Sequence, residues 1–191
     1  MTRIRFKIRY DKCIQGMQFL ATLMPGITQY YVGKVFFFAD REHLLDWGRP
    51  ISGDRYVAME HGPVPSEIYN LIKNDSGEPD ELVDDMRKRV YIRRDENKLH
   101  LFSNEEAPQF PALSHSDREY LAASLAKHGR MRFGELRELS HQDPAYEAAW
   151  ELPGLNNEMN PIFWLEGLGD PDVALNSLVD ASVIDRSATR L

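Results

Sequence analysis

The sequence predicts a mainly α (α+β) protein: a compact helical domain around a central aromatic helix, with a small antiparallel β-hairpin or sheet. Three observations carry this expectation. YYVGKVFFFADREHLLDW, residues 30–47, is apolar or aromatic on almost every side at its centre, which suits a helix at the middle of a core. VYIRRDENKLHLF, residues 90–102, holds two short alternating runs on either side of the turn-forming Asp95-Glu96-Asn97. Elsewhere apolar residues recur at helical spacing between capping and breaking residues.

Taken in order, RIRFKIRY, residues 3–10, alternates without a fault, with Ile4, Phe6, Ile8 and Tyr10 on one side and basic residues on the other. That pattern predicts a strand. A strand needs a partner for its backbone, so the arm either pairs with residues 90–102, the favoured expectation, or augments a partner's sheet. Residues 11–24 read as a mostly buried helix stopped by Pro25-Gly26. The central helix begins at the N-cap Thr28 and ends at Gly48, which suits a left-handed C-terminal position, with Pro50 opening the next turn. In HGPVP, Gly62 permits backbone angles that a side chain forbids, Pro63 fixes φ, and Val64 is extended before Pro65. Pro65 then opens a helix over 65–74 and aims Glu67 and Tyr69. Ser76, Gly77 and Pro79 break the chain, and an amphipathic helix fills 79–88.

After the hairpin, residues 107–111 form a linker. SDRE, residues 116–119, reads as a capping box for a helix over 117–127 that ends at Gly129. Phe133, Leu136 and Leu139 line one face of the next helix, and Asp143-Pro144 caps a short one through Trp150. A turn-rich stretch with an aromatic knot at Phe163-Trp164 follows, then a helix over about 172–184 and a polar tail. The expected organisation is an N-terminal strand and helix (1–27), a central domain (28–150), and a helical extension (151–191) packed on it.

A chain of 191 residues, 42 % hydrophobic and 28 % charged, can bury a sizeable core. Its longest apolar run, residues 35–39, is too short to cross a membrane, and the first residues lack the apolar centre of a signal peptide. The expected compartment is the cytoplasm. The single Cys13 can form neither an internal disulfide nor a cysteine cage for zinc, and should pack as a small apolar residue. No nucleotide-binding glycine loop, nucleophile elbow or zinc-helix motif occurs, and the six histidines fall in different elements. The expectation is therefore a non-enzyme, with no catalytic, cofactor-binding or metal-ligating residues.

Two features ask for a functional alternative. Lys34, in the aromatic helix, could be a desolvated base, in which case it should share an open pocket with His61. The expectation is instead that its stem packs along the apolar face and its ammonium reaches a carbonyl or carboxylate at a helix–helix junction. The helices at 117–140, with Arg130, Arg132 and Arg137, could form a DNA-reading pair. The formal charge of −7 and the placement of Glu135 and Glu138 make DNA binding the less favoured alternative.

Three stretches together resemble the Panacea domain of the SocA-like antitoxin family, which also occurs in phage-associated proteins. They are YYVGKVFFFADREHL, GRPISGDRYVAMEHGPVPSEIYNLIK, and LSHSDREYLAASLAKHGRMRFGELRELSHQDPAYEAAW, spanning about 28–150. On these stretches the family-motif positions are Lys34, Gly48, Pro50, His61, Gly62, Pro63, Val64, Tyr69, Ser140, His141 and Trp150. The chain departs from the pattern at Phe37, where the family often has tyrosine, in the basic arm before Tyr10, and after Trp150. The resemblance implies a mostly helical antitoxin that binds and neutralises a cognate toxin encoded beside it. It also implies, as an alternative, an adaptor that delivers the toxin to a protease, while the alternative of a DNA-binding transcriptional regulator or phage-associated protein rests on the helix pair at 117–140. A homo-oligomer is compatible with all of these roles.

Overall fold

The computed structural model describes residues 4–73, 80–165, 175, 176 and 178–183. The first half of the chain runs α1 (Tyr10–Leu23), β1 (Ile27–Thr28), α2 (Gln29–Trp47), β2 (Tyr56–Met59), β3 (Gly62–Pro65), α3 (Ser66–Lys73) and α4 (Asp80–Arg89). It continues with β4 (Val90–Asp95), β5 (Lys98–Ser103), α5 (His115–His128), α6 (Phe133–His141), α7 (Pro144–Trp150) and β6 (Asn157–Glu158), then a short 3-10 helix, Pro161–Leu165. Residues 175, 176 and 178–183 are helical; the rest of the extension predicted at 172–184, and the polar tail, lie outside the described residues. So does the break at 74–79.

The fold is mainly helical with two small antiparallel sheets, and α2 is its spine. The reason α2 is apolar all round is that it separates two hydrophobic clusters. Val32, Val35, Phe36 and Ala39 face the first, built with α1, α4, α5 and the β4–β5 hairpin. Phe37, Phe38 and Leu44 face the second, with Tyr56, Leu136, Tyr146 and Trp164. Phe37 is fully buried there, edge-on to Phe38 and Tyr56. Cys13 is buried in the first cluster, as expected. The spine ends at Gly48, which is left-handed (φ 69°) with its N–H on the Leu44 carbonyl.

The N-terminal arm departs from the expected strand. Residues 4–9 belong to no strand, and α1 already begins at Tyr10. The alternation nevertheless survives as burial. Ile4 is buried and Phe6 packs beside it on the second cluster, Ile8 and Tyr10 pack on the first, and Arg5, Lys7 and Arg9 are exposed. Alternation reports which side chains face inward and is silent about what the backbone bonds to. Here the Arg9 N–H donates to the Ser52 carbonyl (2.8 Å), and the Arg5 guanidinium grips Glu158 (2.6 Å). A side chain at Gly53 (φ 68°) would collide with the Lys7 carbonyl, so the arm lies against bare backbone. Among the described residues, the pairing expected between the arm and residues 90–102 is not made: β5 pairs with β4 and with β1, which sets Ile27 against Leu101 and Thr28 against His100.

The second sheet, in the order β3-β2-β6, was not anticipated. Pro63 and Pro65 have no N–H and argue against a strand, but β3 lies at a sheet edge, where prolines are tolerated. Pro65 consequently closes β3 opposite Tyr56, and α3 starts one residue later than predicted. The capping box of α5 is also displaced: the Ser114 hydroxyl accepts from the Asp117 N–H, and the Asp117 carboxylate accepts from the Ser114 N–H. Serine and aspartate, shorter than the Ser116/Glu119 pair expected, close the same ring one half-turn earlier.

Asp40 ties the spine to the segment that follows it. Its buried carboxylate accepts from the backbone N–H groups of Ile51 (2.8 Å) and Ser52 (2.9 Å), from the Ser52 hydroxyl, and from the Tyr56 hydroxyl (2.7 Å). Burial raises its pKa above the ordinary carboxylate value, against the pull of these four donors. Asp40→Ala would strand several buried donors at once, and we expect a loss of about 3–5 kcal/mol, measured by chemical denaturation. Asp40→Asn, which keeps an acceptor oxygen, should lose less.

Candidate functional site

The β2–β3 hairpin is clasped between α2 on one side and α6–α7 on the other. Its turn is Glu60-His61, and Gly62 follows with φ 93°, a left-handed value that favours glycine. A Cβ on Gly62 would lie 2.5 Å from Lys34 Nζ and closer still to the Ser140 hydroxyl. Position 62 is therefore closed to side chains on two counts, backbone angle and space. From α2, Lys34 Nζ donates to the Pro63 carbonyl (3.0 Å) and sits 5.3 Å from the centre of the Tyr30 ring. From α6, Arg137 Nε donates to the Glu60 carbonyl (3.2 Å), and Ser140 turns its hydroxyl back to the Arg137 carbonyl (2.9 Å). From α7, the Tyr146 hydroxyl donates to the Met59 carbonyl (2.9 Å) and lies 3.2 Å from His141 Nε2.

These contacts follow from local sequence. Asp143 caps α7 by accepting from the N–H groups of Ala145 and Tyr146, and also receives the Trp164 indole N–H. The cap fixes the direction in which Tyr146 leaves the helix. Tyr146 and Trp150 are one turn apart and stack with ring centres 5.7 Å apart, and His141 also stacks on Tyr146, at 4.5 Å. Trp150 remains half exposed at the end of this column.

Beside the clasp, between α2, α3 and the hairpin, lies a cavity of about 290 Å³. Lys34, His61, Pro63, Val64 and Tyr69 all line it. Lys34 is only 1 % exposed, and burial lowers its pKa to about 7, with Arg137 acting in the same direction. Burial likewise raises Tyr30 to about 12 and lowers His141. The lysine is thus packed with its ammonium on a carbonyl, as expected, but that carbonyl belongs to β3 and not to a helix–helix junction, and the lysine also forms part of a cavity wall.

Of the motif positions named from sequence, the fold gathers Lys34, His61, Gly62, Pro63, Val64, Tyr69, Ser140, His141 and Trp150 around one hairpin. Gly48 and Pro50 lie apart, at the C-terminal end of α2, where His43 Nδ1 meets the Arg49 carbonyl at 2.7 Å. No role was expected of Tyr146 or Tyr30 from the sequence, and Arg137 was named there only as a DNA contact. The four-residue spacing of Tyr146 and Trp150 on a capped helix was the available signal. Of the helix pair considered for DNA, α5 packs chiefly on α2 and α1, and α6 on β3 and α7. Among the described residues, no group of three or more His, Cys, Asp or Glu side chains is placed to hold a metal ion, and no helix is long and apolar enough to cross a membrane.

Fold and site define a helical domain whose motif segments converge on a clamped β-hairpin. The family model described as antitoxin SocA-like, Panacea domain, matches residues 32–147, more than half of the chain, and the chain belongs to that family. No curated protein and no solved structure matches it.

Two measurements probe the clasp. Gly62→Ala should lower stability by about 2 kcal/mol or more, because it adds a strained left-handed φ to a collision with Ser140 and Lys34. The lowered pKa of Lys34 has a definite sign. Between about pH 7 and 10.5 the unfolded chain holds the proton that the folded chain has released, so stability rises with pH across that window. Compared with Lys34→Met, the wild-type chain should show an added slope approaching ~1.4 kcal/mol per pH unit in denaturation experiments.

Proposed function

We propose that this chain is an antitoxin that neutralises a cognate toxin by direct protein–protein binding in the cytoplasm, acting as a binding module without covalent chemistry or a cofactor. The observation that carries this is the family match over residues 32–147. The chain's surface is compatible with binding. Phe133, Trp150, Leu152 and Leu155 are large apolar side chains left exposed on α6, on α7 and in the loop after α7. Surface hydrophobics grouped on neighbouring elements are the usual raw material of a protein contact.

Expression of the adjacent reading frame, alone and together with this chain, tests the role. The expected outcome is that the neighbour arrests growth alone, that co-expression restores growth, and that the two chains co-purify. A harmless neighbour, or a toxic one that is neither rescued nor bound, overturns the proposal.

A further inference from the structure

Lysine is rarely buried without an acidic partner, because desolvating an ammonium is costly unless a counter-charge compensates. Lys34 breaks that rule. Among the described residues, the Pro63 carbonyl is the one hydrogen-bond acceptor of its ammonium, and no carboxylate pairs with it. An ammonium has three N–H donors, so two are left over. The groups that bracket it, Tyr30 and Pro63, both line the cavity, and Lys34 itself is part of the wall. The rest of the lining is largely apolar or aromatic, including Met59, Val64, Ile68 and Tyr69. The volume, about 290 Å³, stands at the lower end of the roughly 300–1,000 Å³ typical of small-molecule sites.

We propose that the cavity between α2, α3 and the β2–β3 hairpin binds a small apolar monocarboxylate, with Lys34 as its counter-ion. The body of such a ligand replaces water against the apolar walls, and its carboxylate takes the spare donors of the ammonium. A phosphate or dicarboxylate fits poorly. Lys34 is the single lysine or arginine in the wall, Glu60 at the rim repels a second negative charge, and the bordering strand offers two prolines that have no N–H to donate. The other ionisable groups around Lys34 are Tyr30 on its own helix, Glu60 and His61 on the hairpin, Tyr69 on α3, and Arg137 and His141 on α6. This site is independent of toxin neutralisation and is read on the free chain.

Isothermal titration calorimetry of the full chain with octanoate, 3-phenylpropanoate and the uncharged octanamide tests the proposal. At about pH 6 at least one carboxylate should bind roughly tenfold or more tightly than octanamide, the expected scale for one compensated charge. Lys34→Met should weaken the carboxylates by a similar factor and leave octanamide unchanged. In the wild-type chain, carboxylate affinity should fall roughly tenfold from about pH 6 to about pH 8 as the ammonium deprotonates. Lys34→Met should remove most of that pH dependence, and an equally steep profile in Lys34→Met overturns the assignment. Val64→Phe, which fills the cavity from a half-buried position, should abolish binding of every probe and serves where Lys34→Met fails to fold. Equal affinity for octanoate and octanamide, a flat wild-type pH profile, unchanged binding by Val64→Phe, or no carboxylate binding at millimolar concentration overturns the assignment.

Discussion

The buried carboxylate of Asp40 organises everything that follows the spine. It sits in the middle of α2, and four donors from residues 51, 52 and 56 converge on it. An acceptor-only group buried this deeply is tolerable because each lone pair meets a donor. Its effect is to turn an irregular segment into a fixed one. Once Ser52 is held, its carbonyl receives the Arg9 N–H and positions the N-terminal arm. Once Tyr56 is held, β2 starts in register, and the Asp54 carboxylate caps α3 by accepting from the N–H groups of Glu67 and Ile68.

The second constraint is that one helix serves two apolar clusters. A helix with a single apolar stripe builds a single core. Because α2 has Phe36 on one side and Phe37 with Phe38 on the other, elements from both ends of the chain can pack on it. That is why the arm before α1 and the 3-10 helix at 161–165 share the second cluster although they are far apart in sequence. It is also why the β2–β3 hairpin can be gripped from both sides, with Lys34 reaching its edge strand while Arg137 and Tyr146 hold the carbonyls of Glu60 and Met59 at its turn.

Most of the helices and the β4–β5 hairpin were legible in the sequence because they depend on local chemistry, whereas the gathering of motif residues around the β2–β3 hairpin is a tertiary outcome. The capped α7, the glycine stop of α2 and the turn at Glu96-Asn97 each follow from residues within one turn of the feature. The arm and the second sheet were not legible for the opposite reason. Residues 4–9 form no strand because their backbone is held elsewhere: the Arg9 N–H is on the Ser52 carbonyl, and Gly53 lets the arm lie against bare backbone. Whether GPVP forms a strand depends on which side of it faces away from β2, since the two prolines fit only at an edge.

The sequence by itself determined the helical class, the spine and the inward-facing positions, because periodicity, capping and turn chemistry act over a few residues, and it carried the family as a resemblance of three stretches. Only the tertiary structure decided what the arm rests on, how HGPVP is built, and that Lys34 lies buried beside a cavity with no acid to match it among the described residues. Those outcomes depend on long-range pairing and on solvent exclusion. Neither is a property of any short stretch of chain.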